Sequence, residues 1–244
     1  MSNFRFYSAE NLHLGATVKL SDNAASHATR ALRLNLGDTL HLFNGDGVDY
    51  AGELISVKKN EVLVKLSTSQ VIENESPLNI TLLQGISSGD RMDYTIQKAV
   101  ELGVAVIQPI ATERSVVKLT AERAQKRLEH WQNVAISACE QCGRATVPAL
   151  LAPVSLSVWL ASNQQNNAMR VLLNPLGAKR LSALSAAPQH IQLLIGAEGG
   201  LTSAEIALAI HHGFQSVILG PRILRTETAA LTAISAMQTL WGDF

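Results

Sequence analysis

Between Arg5 and about Ile72 apolar and polar residues alternate in short runs. In DTLHLFNGDGVDYAGELISVKKNEVLVKLS the alternation is broken by the turn signals NGDG and KKN, which predicts strands with one buried face, arranged as a small β-barrel or compact sheet. The segment SDNAASHATRALRL interrupts this pattern with apolar residues at helical spacing behind a Ser21 or Asp22 cap. On such a helix His27, Arg30 and Arg33 recur every three residues and share one face. VIENESPLN then turns polar and carries a proline, as linkers do, so the domain boundary is placed near residue 75: residues 1–74 before it, residues 75–244 after it.

Past the boundary strands alternate with helices. NITLLQGI reads as a buried strand, followed by a helix over about Met92 to Leu102 that Asp90 can cap and Gly103 stops. VAVIQPI is a second strand, and TAERAQKRLEHWQNVAISACEQCGR a long helix with charges outward. MRVLLNP, HIQLLIGAEGG and SVILGP are further strands, each ending in a turn rich in Gly or Pro. Between the last two, Thr202 and Glu205 form a capping box for a helix that Gly213 ends. A final helix from Glu227 to about Trp241 puts Ala230, Ile234, Met237 and Trp241 on one side, a stripe suited to core or to a dimer interface. The alternation predicts an α/β fold with a mostly parallel sheet.

With 47% apolar and 16% charged residues among 244, the chain affords a sizeable core and is not disordered. Its formal net charge of zero excludes a purely electrostatic nucleic-acid binder, so any RNA binding needs a local basic patch. MSNFRFYSAE has no charged segment followed by an apolar one, and no run approaches eighteen apolar residues, which predicts a cytoplasmic protein without a membrane span. Cys139 and Cys142 stand at CxxC spacing near the end of the long helix, with no second pair and no histidine at ligand spacing. They are read as structural, and no metal is expected.

Ligands of parallel sheets bind beyond the carboxyl ends of the strands, where glycines let backbone approach them. Three late loops fit: LLNPLG (172–177), IGAEGG (195–200) and LGPRILRTETA (219–229). No GxGxxG follows the first strand of this region and no GxxxxGK[ST] occurs, which weighs against a dinucleotide or nucleoside triphosphate. A GxxGG loop alone is equally a tight turn before a capped helix.

Taken together and in this order, the three loops resemble the SPOUT superfamily of RNA methyltransferases, whose C-terminal chain threads a trefoil knot. GDRMDYTIQKAVELGV, ERSVVK and ACEQCGR resemble signatures of one SPOUT family, ribosomal RNA small subunit methyltransferase E, and HATRALRLNLGD resembles its PUA-like RNA-binding barrel. The resemblance spans nearly the whole chain and departs from the usual pattern at Ala197, commonly proline, and Cys142, commonly small and polar. It implies methylation of N3 of a uridine in small-subunit ribosomal RNA, free or in the assembled subunit, by a homodimer using S-adenosylmethionine. It also implies a cofactor cradle at Leu172, Leu173, Asn174, Gly196, Gly199, Leu219, Gly220, Ile223, Leu224 and Thr228.

Such a transfer needs in-line positioning and a deprotonated N3, hence a base or groups that stabilise an imide anion. Glu198 and Glu227 are carboxylates in the right loops, although Glu227 also complements the dipole of the last helix, and Arg225 can stabilise charge on a uracil oxygen. Arg5, His27, Arg30 and Arg33, with Arg91, Lys98, Arg114 and Arg144, are the residues available to contact RNA. Two other readings stay open: a non-catalytic RNA-binding protein, and an α/β enzyme using another nucleotide-like cofactor.

Overall fold

The computed structural model describes residues 4–58, 61–115, 120–163, 167–177, 179–184 and 188–244. Part of the KKN turn (59–60) and the last three residues of ERSVVK (116–118) lie outside the described residues. The chain forms two compact units, residues 1–75 with 136–147, and residues 76–135 with 148–244. Segment 136–147, which includes ACEQCGR, thus groups with the first unit, whereas the linear reading put it in the second.

The first unit contains β1 (Arg5–Tyr7), β2 (Thr17–Lys19), α1 (Asp22–Ser26), β3 (Thr39–Phe43), β4 (Val48–Lys58) and β5 (Glu61–Val71). They make one sheet in the order β1-β3-β4-β5-β2, antiparallel except for β1 against β3. The register shifts twice between β4 and β5, bending the sheet over a core that includes Phe6, Leu40, Leu42, Leu54 and Val64. At the first shift Gly52 is required, since a Cβ there would lie 2.7 Å from the Lys65 carbonyl oxygen.

The helix predicted over 22–34 is shorter and of two kinds. Ser21 caps α1 by accepting from the Ala24 N–H, and a single wide π turn, His27–Ala31, follows. There the Leu32 N–H donates to the His27 carbonyl (3.0 Å), and the Leu34 N–H reaches back to Ala28 (2.9 Å). The wide turn lets Ala28 and Leu34 both bury in the core. Arg33 falls beyond the helix at φ +57°, so the expected shared face of His27, Arg30 and Arg33 does not exist.

The second unit contains β6 (Asn79–Gly85), α2 (Asp90–Glu101), β7 (Val106–Ala111), the first part of α3 (Ala121–Cys142), β8 (Ala149–Leu150), β9 (Val154–Ser155), α4 (Leu156–Ser162), β10 (Met169–Leu173), β11 (Lys179–Arg180), β12 (His190–Ile195), α5 (Ser203–His211), β13 (Gln215–Ile218) and α6 (Thr226–Trp241). Its strands run in the order β11-β13-β10-β12-β6-β7-β8, with β9 also on β7, and every pairing is parallel. Central strands β6, β10 and β12 are buried almost throughout, as parallel strands covered on both faces must be. The five strands predicted here are all present; the short β8, β9 and β11 and helix α4 carry too few residues to show a period.

Helix boundaries follow the chemistry closely. Thr202 and Glu205 form the capping box of α5, and Gly103 and Gly213 end α2 and α5 at positive φ. The expected Asp90 cap is not made: Gly89 occupies that position at φ +56° and Asp90 is already helical, where its charge still favours the helix dipole. α6 packs on α2, burying Ala230, Ile234 and Met237, while Trp241 is half-buried. Gln238 locks the two helices together, donating to the Leu102 carbonyl (2.8 Å) and accepting from the Ser76 hydroxyl (2.8 Å).

Candidate functional site

Because every strand of the second sheet points the same way, the segments after β6, β7, β10, β12 and β13 all leave from one edge. They surround a cavity of about 560 Å³, within the range that holds a cofactor-sized ligand. Its walls come from the three glycine-containing loops named above, and Arg91 and Arg114 join them.

Close backbone packing shapes the cavity. A Cβ on Gly85, the last residue of β6, would lie 2.2 Å from the Ala197 nitrogen, and one on Gly196 would lie 2.9 Å from the Gly200 carbonyl carbon. Glycine at these positions lets β6 and the IGAEGG loop touch through their backbones. Gly220 differs: a Cβ there would meet nothing within 4 Å, so its missing side chain leaves open cavity. Thr226 ties the third loop to the second, its hydroxyl donating to the Gly196 carbonyl (2.6 Å) and accepting from Gln84 Nε2 (2.9 Å).

The IGAEGG loop is held from both sides. Oε1 of Glu198 accepts from the Ser88 N–H (2.8 Å), the Ser88 hydroxyl (2.8 Å) and Arg91 Nη1 (3.0 Å). Burial pulls this carboxyl upward, but the Ser88 and Glu198 amides, the Ser88 hydroxyl and Arg91 outweigh it and hold the group below its ordinary value. On the other side Arg114 donates to the carbonyls of Gly199 (3.2 Å) and Leu201 (3.4 Å), while Glu205 accepts from the neighbouring Glu113 N–H (2.9 Å).

The structure brings most of the expected cradle together. Leu173, Asn174, Gly196, Gly199, Leu219, Gly220, Ile223 and Leu224 line the cavity, as do Glu198, Arg225 and Glu227. Leu172 does not; its side chain is fully buried among Leu83, Leu160 and Leu194, because alternate residues of β10 face opposite sides. Thr228 also lies outside the lining, exposed one residue along α6. Glu227 is half-buried, with Oε2 sealed from solvent and lacking a hydrogen-bond partner among the described residues. Arg225 is exposed. Sequence reasoning missed Thr226, Ala197 and the pairing of Ser88 and Arg91 with Glu198; a polar SSGDR run after an apolar strand was the available signal.

The basic residues divide sharply. Arg5 is buried against Asp49 (2.6 Å), donates to the Cys139 carbonyl (2.8 Å) and stacks on Phe43, so it does not face solvent as an RNA ligand must. Arg144, 4% exposed, pairs with Glu75 through two nitrogens. Both belong to the interior of the first unit, which corrects their place among the expected RNA contacts. Lys98 pairs with Glu101 (2.8 Å) on α2. His27, Arg30, Arg33, Arg91 and Arg114 keep exposed surface. Cys139 is a buried thiol pushed up to about 12 by its burial, the opposite of a reactive cysteine.

Comparison with known proteins bears on this geometry. The family described as RNA methyltransferase domain matches residues 74–238, and the RNA methyltransferase PUA domain matches residues 20–67. The ribosomal RNA small subunit methyltransferase E of Buchnera aphidicola is 36% identical over 98% of this chain and 94% of its own. The chain belongs to the ribosomal RNA small subunit methyltransferase E family. A crystal structure of the Neisseria gonorrhoeae member of that family, bound to S-adenosyl methionine, superposes with a TM-score of 0.92 at 45% identity, covering all of both chains. A Legionella pneumophila protein in complex with the bound cofactor SAM superposes with a TM-score of 0.95 at 40% identity, again over the whole of both chains. In this family member the cavity suits such a cofactor on its own terms: backbone amides and carbonyls of three loops, apolar walls from Leu201, Ile206 and Val217, and unfilled space at Gly220.

Proposed function

We propose that the protein methylates N3 of a uridine in small-subunit ribosomal RNA, with S-adenosylmethionine held in the cavity at the edge of the second sheet. The observation that carries this reading is that one cavity is walled by residues drawn from segments 173–176, 195–201 and 217–229, the three loops that resemble the cofactor site of the family. S-adenosylmethionine supplies an electrophilic methyl group, so this chain's residues have to position the base and stabilise the charge left when N3 loses its proton. Arg91, Arg114 and Arg225 line the cavity and supply positive charge, and Glu227 adds a carboxylate to its wall.

The reading includes a trefoil knot. Its support is topological: β10 and β11 follow one another in the chain, yet β13 lies between them in the sheet, and the next segment returns to Gly196 through Thr226. Residues 1–75 with 136–147 serve as a PUA-like barrel that binds RNA through Arg30 and Arg33, and residues 76–135 with 148–244 as the SPOUT methyltransferase domain. The enzyme acts in the cytoplasm as a homodimer and without a metal. Exposed Tyr94 and Leu240, on the packed helices α2 and α6, are apolar surface available to a second copy.

The test incubates the protein with labelled S-adenosylmethionine and small ribosomal subunits, or their naked RNA, from a strain lacking it. The expected product is N3-methyluridine at one site in the digested RNA. Calorimetry showing no cofactor binding at millimolar concentration would remove the methyltransferase reading; RNA binding without transfer would leave a binding protein.

A further inference from the structure

We propose that Glu198 is a positioning residue that fixes the Arg91 guanidinium at the mouth of the cavity, and that Arg91 stabilises negative charge on a uracil carbonyl oxygen as N3 is deprotonated. The inference rests on the uridine-N3 reading and assigns its electrostatics.

The sequence offers Glu198 as the proton acceptor, and the geometry points elsewhere. Its contacts with the Ser88 N–H, the Ser88 hydroxyl and Arg91 all converge on Oε1, and a carboxylate already accepting that many donors is a weak base. What the arrangement does provide is a fixed cation. Arg91 commits Nη1 to Glu198, while its side chain remains 41% exposed on the cavity wall, so donors of the same rigid guanidinium are left for a ligand. A donor held in place before reaction pays no reorganisation when charge develops, and this is the property that makes such groups effective. Arg225, the other arginine considered for this role, is exposed and makes no side-chain hydrogen bond or ion pair among the described residues, so nothing comparable holds its guanidinium in place.

In the step, the N3–H bond breaks and its proton passes to hydroxide or water in the open cavity. The negative charge spreads onto the carbonyl oxygen facing Arg91. The N3 electron pair then forms the new bond to the methyl carbon as the C–S bond breaks, its electrons staying on sulfur to leave neutral S-adenosylhomocysteine.

Small-subunit RNA transcripts containing uridine, or 5-fluorouridine throughout, separate this role from mere RNA binding, because the fluorine makes N3–H more acidic. Arg91→Ala should slow single-turnover transfer to the uridine transcript by about a hundredfold or more at saturating RNA, the usual effect of losing one such donor. On the fluorinated transcript the loss should shrink to about tenfold or less, since less anion stabilisation is needed. Glu198→Ala should be slowed as Arg91→Ala is, Glu198→Gln, which keeps an acceptor for Arg91, much less, and the double alanine variant no more than Arg91→Ala alone. Arg91→Lys checks that a retained charge on an unchanged fold recovers part of the rate. Equal losses on both transcripts, or additive losses in the double variant, overturn the proposal while leaving the methyltransferase reading intact. Failure of the parent protein to methylate either transcript overturns that reading and this inference with it.

Discussion

Two arginine–glutamate pairs show how the two units use the same chemistry to opposite ends. In the first unit Arg144 and Glu75 meet with the arginine side chain 5% exposed; in the second Arg91 and Glu198 meet with the arginine 41% exposed beside a cavity. A buried charge stripped of its partner is expensive, so the first pair fixes structure. The second leaves a cation oriented but accessible, which is what a site requires. Residue type and spacing read both arginines alike, and only burial and partner tell them apart.

The largest effect sharpens this contrast. Arg144→Ala should destabilise the protein by about 1–3 kcal/mol, the cost of losing a buried side chain's charged hydrogen bonds while the partly exposed Glu75 left behind is taken up by water, measured by urea unfolding. The RNA affinity of the folded fraction and its salt slope should match the parent; a reduced slope would return Arg144 to the RNA surface. Next comes a pair of glycines on the cavity wall. Gly220→Val should weaken S-adenosylmethionine binding at least tenfold by filling open space, with little change in ligand-free melting temperature, while Gly196→Val, whose side chain meets its own loop, should lower melting temperature as well. Calorimetry and thermal unfolding of both variants decide this.

A smaller effect concerns the exposed cations of the first unit. Arg30→Ala with Arg33→Ala should lower the slope of log affinity against log salt by roughly 1.4–1.8, corresponding to two phosphates. Arg33→Gly should at the same time stabilise the fold by about 1 kcal/mol, because a left-handed backbone is costly for arginine and free for glycine. Stability gained without loss of RNA affinity would mean that Arg33 is strained for some other reason.

The smallest effect is on pH. Glu198 is held below its ordinary value when folded, so its contribution to stability is present above about 4.3, the unfolded value, and is lost as pH falls through the folded one. The difference in stability between the parent and Glu198→Gln should therefore be constant above about pH 5 and shrink in more acidic solution. A constant difference down to pH 3 would mean that the clamp does not depend on charge.

The elements and most of the cavity were legible because they rest on local chemistry. Thr202 with Glu205, Gly103 and Gly213 mark helix ends within a few residues, and glycines at strand ends mark the loops. What sequence did not disclose depends on contacts between distant segments. The partner of Arg5 lies 44 residues away and that of Glu198 107 residues away, so no spacing rule connects them. Leu172 lies outside the cavity lining for a subtler reason: the strand period places neighbours on opposite faces, but only the fold says which face meets the cavity. Arg33 escaped because a single π turn shifts everything after it, and the sequence carries no signal of that turn.

The order in which the walls of the cavity occur along the chain has a consequence for its making. Residues 217–229, which complete it, follow every other wall segment in sequence. A ribosome emits a chain from its N-terminus, so a nascent molecule halted before that stretch possesses the strands of the sheet up to β12 and yet has no enclosure for a ligand. Cofactor retention is therefore a property acquired only near the end of translation, and a truncated product released earlier would have no closed cavity in which to sequester the methyl donor.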